Sequence, residues 1–317
     1  MNNCLLSISD LTMHYGQTIA LAGLSIEVNR GDIYGLIGPN GAGKTTTFKI
    51  VATILKPTGG EVHIAGINIA LPPMISRIRE IRRKIGYMPD AFGIYEDMTV
   101  DEYLTFFAAA YDIQNPRRQK LVDDVLDLVD LSAKRHTLIE TLSRGVQQRL
   151  GIARVLIHDP ELLILDEPAS GLDPRARVEI RTLLLELQKM GKTILISSHI
   201  LADLGEICNR VGILEKGRLR VDGTLADVLK QVKPSPIVLL RVDDDVERAL
   251  AALRGLPFVS GVERQNGTLA VTVTPGFGEV WRITEALVAR GVKVNYIEQE
   301  SESLERAFIE LTQGSVS

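Results

Sequence analysis

The chain has 317 residues, 45% hydrophobic and 24% charged, which is enough length for one large or two modest cores. Its formal net charge of -4 gives no electrostatic reason to expect nucleic acid as a partner, and no apolar run approaches the roughly 18 residues of a membrane-spanning helix. Cys4 and Cys208 are the only cysteines, which argues against a disulfide framework or a zinc site and agrees with a reducing cytosol.

The opening MNNCLLSISD lacks the basic stretch and long apolar core of an export signal, so a cytosolic chain is expected. LLSISDLTMHYG and LSIEVNRGDIYGLIG read as strands, with turn chemistry at Asn29 to Asp32. The strand ending near Ile37 runs into a glycine-rich loop and then a helix from Lys44 to about Leu55. EVHIAGINI reads as a hairpin, and the basic run SRIREIRRKIG as a solvated helix face. From residue 98 to 158 the apolar spacing is mostly helical, and the chain then returns to strand in LLILD and TILISS around the helix RARVEIRTLLLELQKMG. This alternation predicts a parallel α/β core carrying an antiparallel N-terminal sheet and a helical insertion.

Beyond VGILEKGRLRVDG the texture changes. The prolines of VKPSP mark a linker, and the remainder predicts a β-α-β-β-α-β order ending in the helix SLERAFIELT, suggestive of a small ferredoxin-like α+β domain. No catalytic grouping is visible there, and an accessory or dimerisation module is expected.

GPNGAGKT, residues 38 to 45, has the G-x-x-x-x-G-K-[ST] spacing between a buried strand and a helix. Gly38, Gly41 and Gly43 let the backbone bend so that N–H groups converge on phosphate oxygens. Lys44 supplies a cation, Thr45 a hydroxyl for Mg²⁺ and Thr46 a further phosphate hydrogen bond. In LLILDEP, Asp166 emerges at the C-terminal end of a buried strand to hold Mg²⁺, and Glu167 is the candidate for placing an attacking water. SGLD, ending in Asp173, forms the next turn, and His199 ends the strand TILISSH, at the same crest. A second anion-directed feature is TLSRGVQQRLGIAR. Ser143 occupies an N-cap position there, and Val146, Leu150, Ala153 and Ile157 follow at helical spacing.

Together these residues resemble the nucleotide-binding subunits of ATP-binding cassette transporters over about residues 4 to 225. GPNGAGKT (Gly38, Pro39, Asn40, Gly41, Ala42, Gly43, Lys44, Thr45) is similar to their Walker A, LLILDE to their Walker B and catalytic glutamate, SGLD to the D-loop, and His199 to the switch histidine. Tyr15 stands where the adenine-stacking aromatic belongs, and LSRGV (Ser143, Arg144, Gly145, Val146) resembles the signature LSGGQ. The tail resembles the drug- and polysaccharide-export branch, whose membrane subunits are separate chains.

The resemblance implies a P-loop core with helical signature subdomain over residues 1–228, a linker at 229–236 and an accessory domain at 237–317. It further implies ATP and Mg²⁺ as cofactors, a second nucleotide-binding subunit and membrane permease subunits as partners, and a place on the cytoplasmic face of the membrane. Each ATP would lie between one Walker A and the other chain's signature. A helix start is worth about 0.3–1 kcal/mol to an exposed charge and up to about 2 when partly buried, too little for a separate ATP site but enough to make closure depend on the terminal phosphate. Two departures stand out. Asp90 replaces the glutamine of the Q-loop, and Arg144 and Val146 replace a glycine and the glutamine of the signature. Val146 cannot return a capping bond to Ser143, while Arg144 either sets a cation near phosphate or faces solvent. An importer subunit, or a soluble ATPase acting on ribosomes or DNA, is the alternative.

Overall fold

The structure, a computed structural model, describes residues 3–69, 75–91, 93, 95, 97–198, 200–232, 236–243, 246–265, 267–274 and 277–299. Alternating apolar residues at the start of the chain form two long antiparallel strands, β1 (Cys4–Tyr15) and β2 (Thr18–Asn29). Strand β3 (Ile33–Ile37) leads through the glycine loop into helix α1 (Lys44–Val51). The helix expected to reach Leu55 stops earlier because Thr53 takes a left-handed φ of 60° and its N–H closes a turn to the Ile50 carbonyl. The predicted hairpin is present as β4 (Gly59–Ile64) and β5 (Ile67–Asn68), giving an antiparallel sheet of order β2-β1-β4-β5.

The basic run forms α2 (Ile75–Lys84) and passes directly into β6 (Ile85–Met88). The helical insertion consists of α3 (Val100–Ala110), α4 (Arg117–Leu128) and α5 (Arg144–Leu156). Helix α3 opens with a capping box, in which the Glu102 N–H donates to the Thr99 hydroxyl and the Thr99 N–H donates to the Glu102 carboxylate. The chain continues through β7 (Leu162–Asp166), α6 (Pro174–Lys189), β8 (Thr193–Ser197), α7 (Leu201–Ile207), β9 (Arg210–Glu215) and β10 (Arg218–Thr224).

The second sheet has the order β10-β9-β3-β8-β7-β6, parallel except for the antiparallel edge strand β10. Every residue of β3, β7 and β8 is buried, which explains their uninterrupted apolar runs. Leu24 and Ile26 of the antiparallel sheet share one core with Leu36, Phe48, Ile164 and Leu195. This core fixes the glycine loop and the ends of β7 and β8 at one crest, where open parallel sheets place ligands.

Two compact units divide the chain, Met1–Leu225 and Ala226–Ser317, so the division falls before the expected residue 228. Helix α8 (Leu225–Val232) occupies part of the expected linker at 229–236, because Leu225 and Val228 begin an apolar stripe that the prolines after it do not interrupt. The second unit runs β11 (Ile237–Val242), α9 (Val246–Arg254), β12 (Val259–Gln265), β13 (Thr268–Val273), α10 (Trp281–Val288) and β14 (Val294–Gln299). Its antiparallel sheet has the order β12-β13-β11-β14, as in ferredoxin-like domains, and Val238, Leu240, Val271, Leu253 and Ile283 lie in its core. The helix expected at SLERAFIELT lies outside the described residues.

Candidate functional site

The glycine loop is shaped by two close approaches of backbone. A Cβ on Gly38 would stand 2.3 Å from the Leu214 carbonyl oxygen of β9, so only glycine lets β3 and β9 meet there. Gly43 is the N-cap of α1 with φ 112°, and a Cβ on it would meet the Ala20 carbonyl at 2.7 Å. Lacking a side chain, Gly43 leaves the first N–H groups of α1 without a side-chain cap, facing a cleft of about 380 Å³. The Gly217 N–H donates to the Ala42 carbonyl at 3.0 Å and ties the loop to the β9–β10 turn.

Pro39, Asn40, Gly41, Ala42, Gly43, Lys44, Thr45 and Thr46 line this cleft together with Thr18, Ile19, Ala20, Asp90, Asp166 and Glu167. Lys44 is buried, and its Nζ donates to the Gly38 carbonyl at 2.6 Å and the Pro39 carbonyl at 3.3 Å. Burial holds its pKa below the ordinary lysine value, an effect opposed by the nearby Glu167 and Asp166 carboxylates. Thr45 is exposed at the opening of α1, whereas the Thr47 hydroxyl is turned back to the Gly43 carbonyl. Asp90 reaches the cleft just beyond β6. Its neighbour Tyr87 has its phenol pKa pushed up to about 12, first by burial and then by Asp166 and Asp90.

Asp166 ends β7 and is 2% exposed. Its Oδ1 accepts a 2.6 Å hydrogen bond from the Ser197 hydroxyl, and that same hydroxyl oxygen accepts from the Glu167 N–H at 3.1 Å. Ser197 therefore aligns both carboxylate residues, a role the sequence reading missed. The signal was available in TILISS, provided that β7 and β8 were known to be neighbours in register. Glu167 turns away from the strand with φ 54°, and its carbonyl accepts from the Ser170 N–H, which opens the SGLD turn. A bulky residue in the left-handed region is uncommon and marks a backbone held by its surroundings.

Tyr15 ends β1 opposite Thr18 and is exposed, with Thr18 rather than Tyr15 among the residues that line the cleft. Asp173 is the N-cap of α6, where its carboxylate accepts from the Ala176 N–H at 3.0 Å. His199 lies outside the described residues.

The signature residues Ser143, Arg144, Gly145 and Val146 line a second cleft, of about 290 Å³, with Gly171, Asp173 and Ala176. Ser143 has N-cap geometry at the start of α5, but its hydroxyl makes no cap hydrogen bond. The expected cap is thus present in position and absent as a bond, consistent with Val146 having no group to return. The two clefts share no lining residue.

A glycine loop with a buried lysine, facing an acidic pair at the crest of a parallel sheet, defines a P-loop nucleoside-triphosphate-binding protein. A family described as ABC transporter matches residues 21–170. The chain is 34% identical to an uncharacterised ABC transporter ATP-binding protein of Bacillus subtilis, over 97% of this chain and 99% of that one. It is also 34% identical to a bacitracin transport ATP-binding protein of Bacillus licheniformis, over 98% of each. Among solved structures, the dimeric bacterial ABC transporter cassette MJ0796 superposes with a TM-score of 0.64 at 26% identity, covering 69% of this chain and 98% of that one. The chain belongs to the ATP-binding subunits of ABC transporters and is an ATPase of that family.

Proposed function

We propose that this subunit energises an exporter by closing on a second copy, with each ATP held between the glycine loop of one copy and the signature helix of the other. The observation that carries this reading is the separation of the two clefts. Within one chain the signature start and the glycine loop line different cavities, so an uncapped helix start suited to phosphate has no phosphate site of its own. Export is supported by the full-length match to the bacitracin transport protein. The membrane permease would recruit the subunit to the cytoplasmic face, and among the described residues no helix is long and apolar enough to cross a membrane.

The donor set suits a hard divalent cation, since Thr45 offers an exposed hydroxyl and Asp166 a carboxylate on the same cleft. Mg²⁺ held there would neutralise charge on the phosphates. The chain's own groups do the remainder. Lys44 exchanges the Gly38 and Pro39 carbonyls for phosphate oxygens, the N–H groups of the loop fix the triphosphate, and Glu167, oriented through Ser197, places the attacking water. His199 takes the role of the switch histidine, Asp90 the place of the Q-loop glutamine, and Tyr15 that of the aromatic that stacks on the base.

Lys44→Ala and Ser143→Arg separate the two halves of this site. Lys44→Ala removes ATP binding by the monomer. Ser143→Arg abolishes ATP hydrolysis and leaves monomer affinity, measured by fluorescent-nucleotide titration, within about threefold of the parent. Equal loss of monomer affinity in both variants would assign the signature to its own chain's ATP and sink the proposal.

A further inference from the structure

Helix α7, which follows His199 in the chain, has seven residues and no side-chain cap at Ile200. A helix this short takes its position from tertiary contacts rather than from its own propensity. Leu201, Leu204 and Ile207 give it a buried apolar stripe. To that stripe is added one ionic contact with α6. Asp203 is buried, and its Oδ1 accepts from Arg181 Nη1 at 3.1 Å. The same Nη1 lies 2.8 Å from Glu206 Oε1. The Arg181 side chain is 18% exposed and that of Asp203 12%, so this pair is largely removed from water, and Asp203 Oδ2 is buried with no hydrogen-bond partner among the described residues. Stability alone does not account for such a pair, because apolar side chains of similar volume hold two helices together at least as well. What a charge-assisted hydrogen bond adds is one fixed geometry.

We propose that Arg181 is a positioning residue for ATP hydrolysis: by holding Asp203 it sets α7 on α6, and with it the segment 198–200 that carries His199. This inference rests on the role given to His199 above. The chain on either side of that residue is tied down. Before it, the Ser197 hydroxyl donates to Asp166, which references the end of β8 to the acidic pair. After it, the Ile200 N–H donates to the Ser198 hydroxyl at 3.0 Å, and the chain passes straight into α7. Helix α6 is a firm base for the contact, since Ile180, Leu183, Leu184 and Leu187 are buried along it. Without the pair, α7 would rest on its apolar stripe, which resists separation but not sliding, and the downstream end of the segment would move relative to Glu167. The groups placed on the nucleotide, Lys44 and the glycine loop, belong to α1 and the loop before it and would stay where they are. Loss of Arg181 therefore acts on turnover and not on nucleotide binding.

The test is steady-state ATPase kinetics of the full chain carrying Arg181→Met, Arg181→Lys, or Arg181→Met together with Asp203→Leu. The double variant removes both charges, leaves no unpaired carboxylate at position 203, and is expected to melt within a few degrees of the parent. In Arg181→Met and in the double variant kcat is expected to fall about tenfold with KM for ATP unchanged, and Arg181→Lys to recover part of the loss. On the residual rate of His199→Ala, Arg181→Met should cause no further loss, because both act through one group. A double variant that regains the parent kcat along with its Tm would show that the pair serves the fold alone and overturn the proposal. A raised KM with kcat unchanged, or a further tenfold loss in the His199→Ala background, would overturn it as well. If His199→Ala itself hydrolyses ATP at the parent rate, the role given to His199 fails, and this inference with it.

Discussion

Ser197 shows how much of the chemistry depends on a single hydroxyl. Fully buried at the end of β8, it donates to the Asp166 carboxylate and accepts from the Glu167 backbone N–H, fixing the one side chain and the backbone from which the other projects. The glycine loop was legible in the sequence because its chemistry requires given residue types at consecutive positions. Ser197 was not, because it meets Asp166 only across the β7–β8 register. Arg144 was ambiguous for a related reason, since spacing along α5 does not reveal that Gly171 lies under its guanidinium.

His158 supplies a residue-scale prediction. Its Nε2–H donates to the Ile85 carbonyl at 2.8 Å, its ring stacks 3.9 Å from that of Tyr111, and its Nδ1 is buried without a partner. Protonation would create a buried N–H with no acceptor, and burial accordingly holds its pKa below the ordinary histidine value. The unfolded chain takes up that proton near pH 6.5 and the folded chain does so only at lower pH, so stability is full above about 6.5 and falls as pH drops below it. Thermal melts should show a smaller drop in Tm between about pH 7.5 and about pH 5.5 for His158→Gln than for the parent. An equal drop would remove His158 from the account.

At the scale of elements, α3 and α5 make a useful contrast. Helix α3 has the full reciprocal cap of Thr99 and Glu102, as expected of a helix whose start serves only the fold. Helix α5 has a serine in the N-cap position but no side-chain cap, leaving that hydroxyl and the first N–H groups for another partner. Thr99→Ala should lower stability by about 1 kcal/mol in urea unfolding, with ATP affinity unchanged. A loss of affinity with no loss of stability would mean that this helix start belongs to the site. Strand and helix types were readable from periodicity for the longer elements, such as α3, α5 and α6, but not for the short β6 and α7, and ends were set by local backbone. Thr53 stops α1 by its left-handed φ, and α8 continues past the point where the coming prolines suggested a linker.

For the whole molecule, the sequence order of elements was enough to anticipate a parallel core, an antiparallel sheet and a ferredoxin-like C-terminal unit. It was not enough to show that the signature and the glycine loop open onto separate clefts, since that is a property of how α5, α6 and the crest of the sheet are arranged in space. On the proposed composite site, each subunit would hold two halves of a nucleotide site that it cannot join by itself. Two copies related by a twofold axis would supply each other's missing half and so complete two sites at once. Hydrolysis would then remove the phosphate that holds the pair closed and release it.

The most direct measurement is the solution mass of Glu167→Gln by light scattering, with and without ATP. The 34.8 kDa chain should shift to about twice that mass when ATP is added and return to the monomer when ADP replaces it. A mass that stays at one chain in saturating ATP would contradict the composite site.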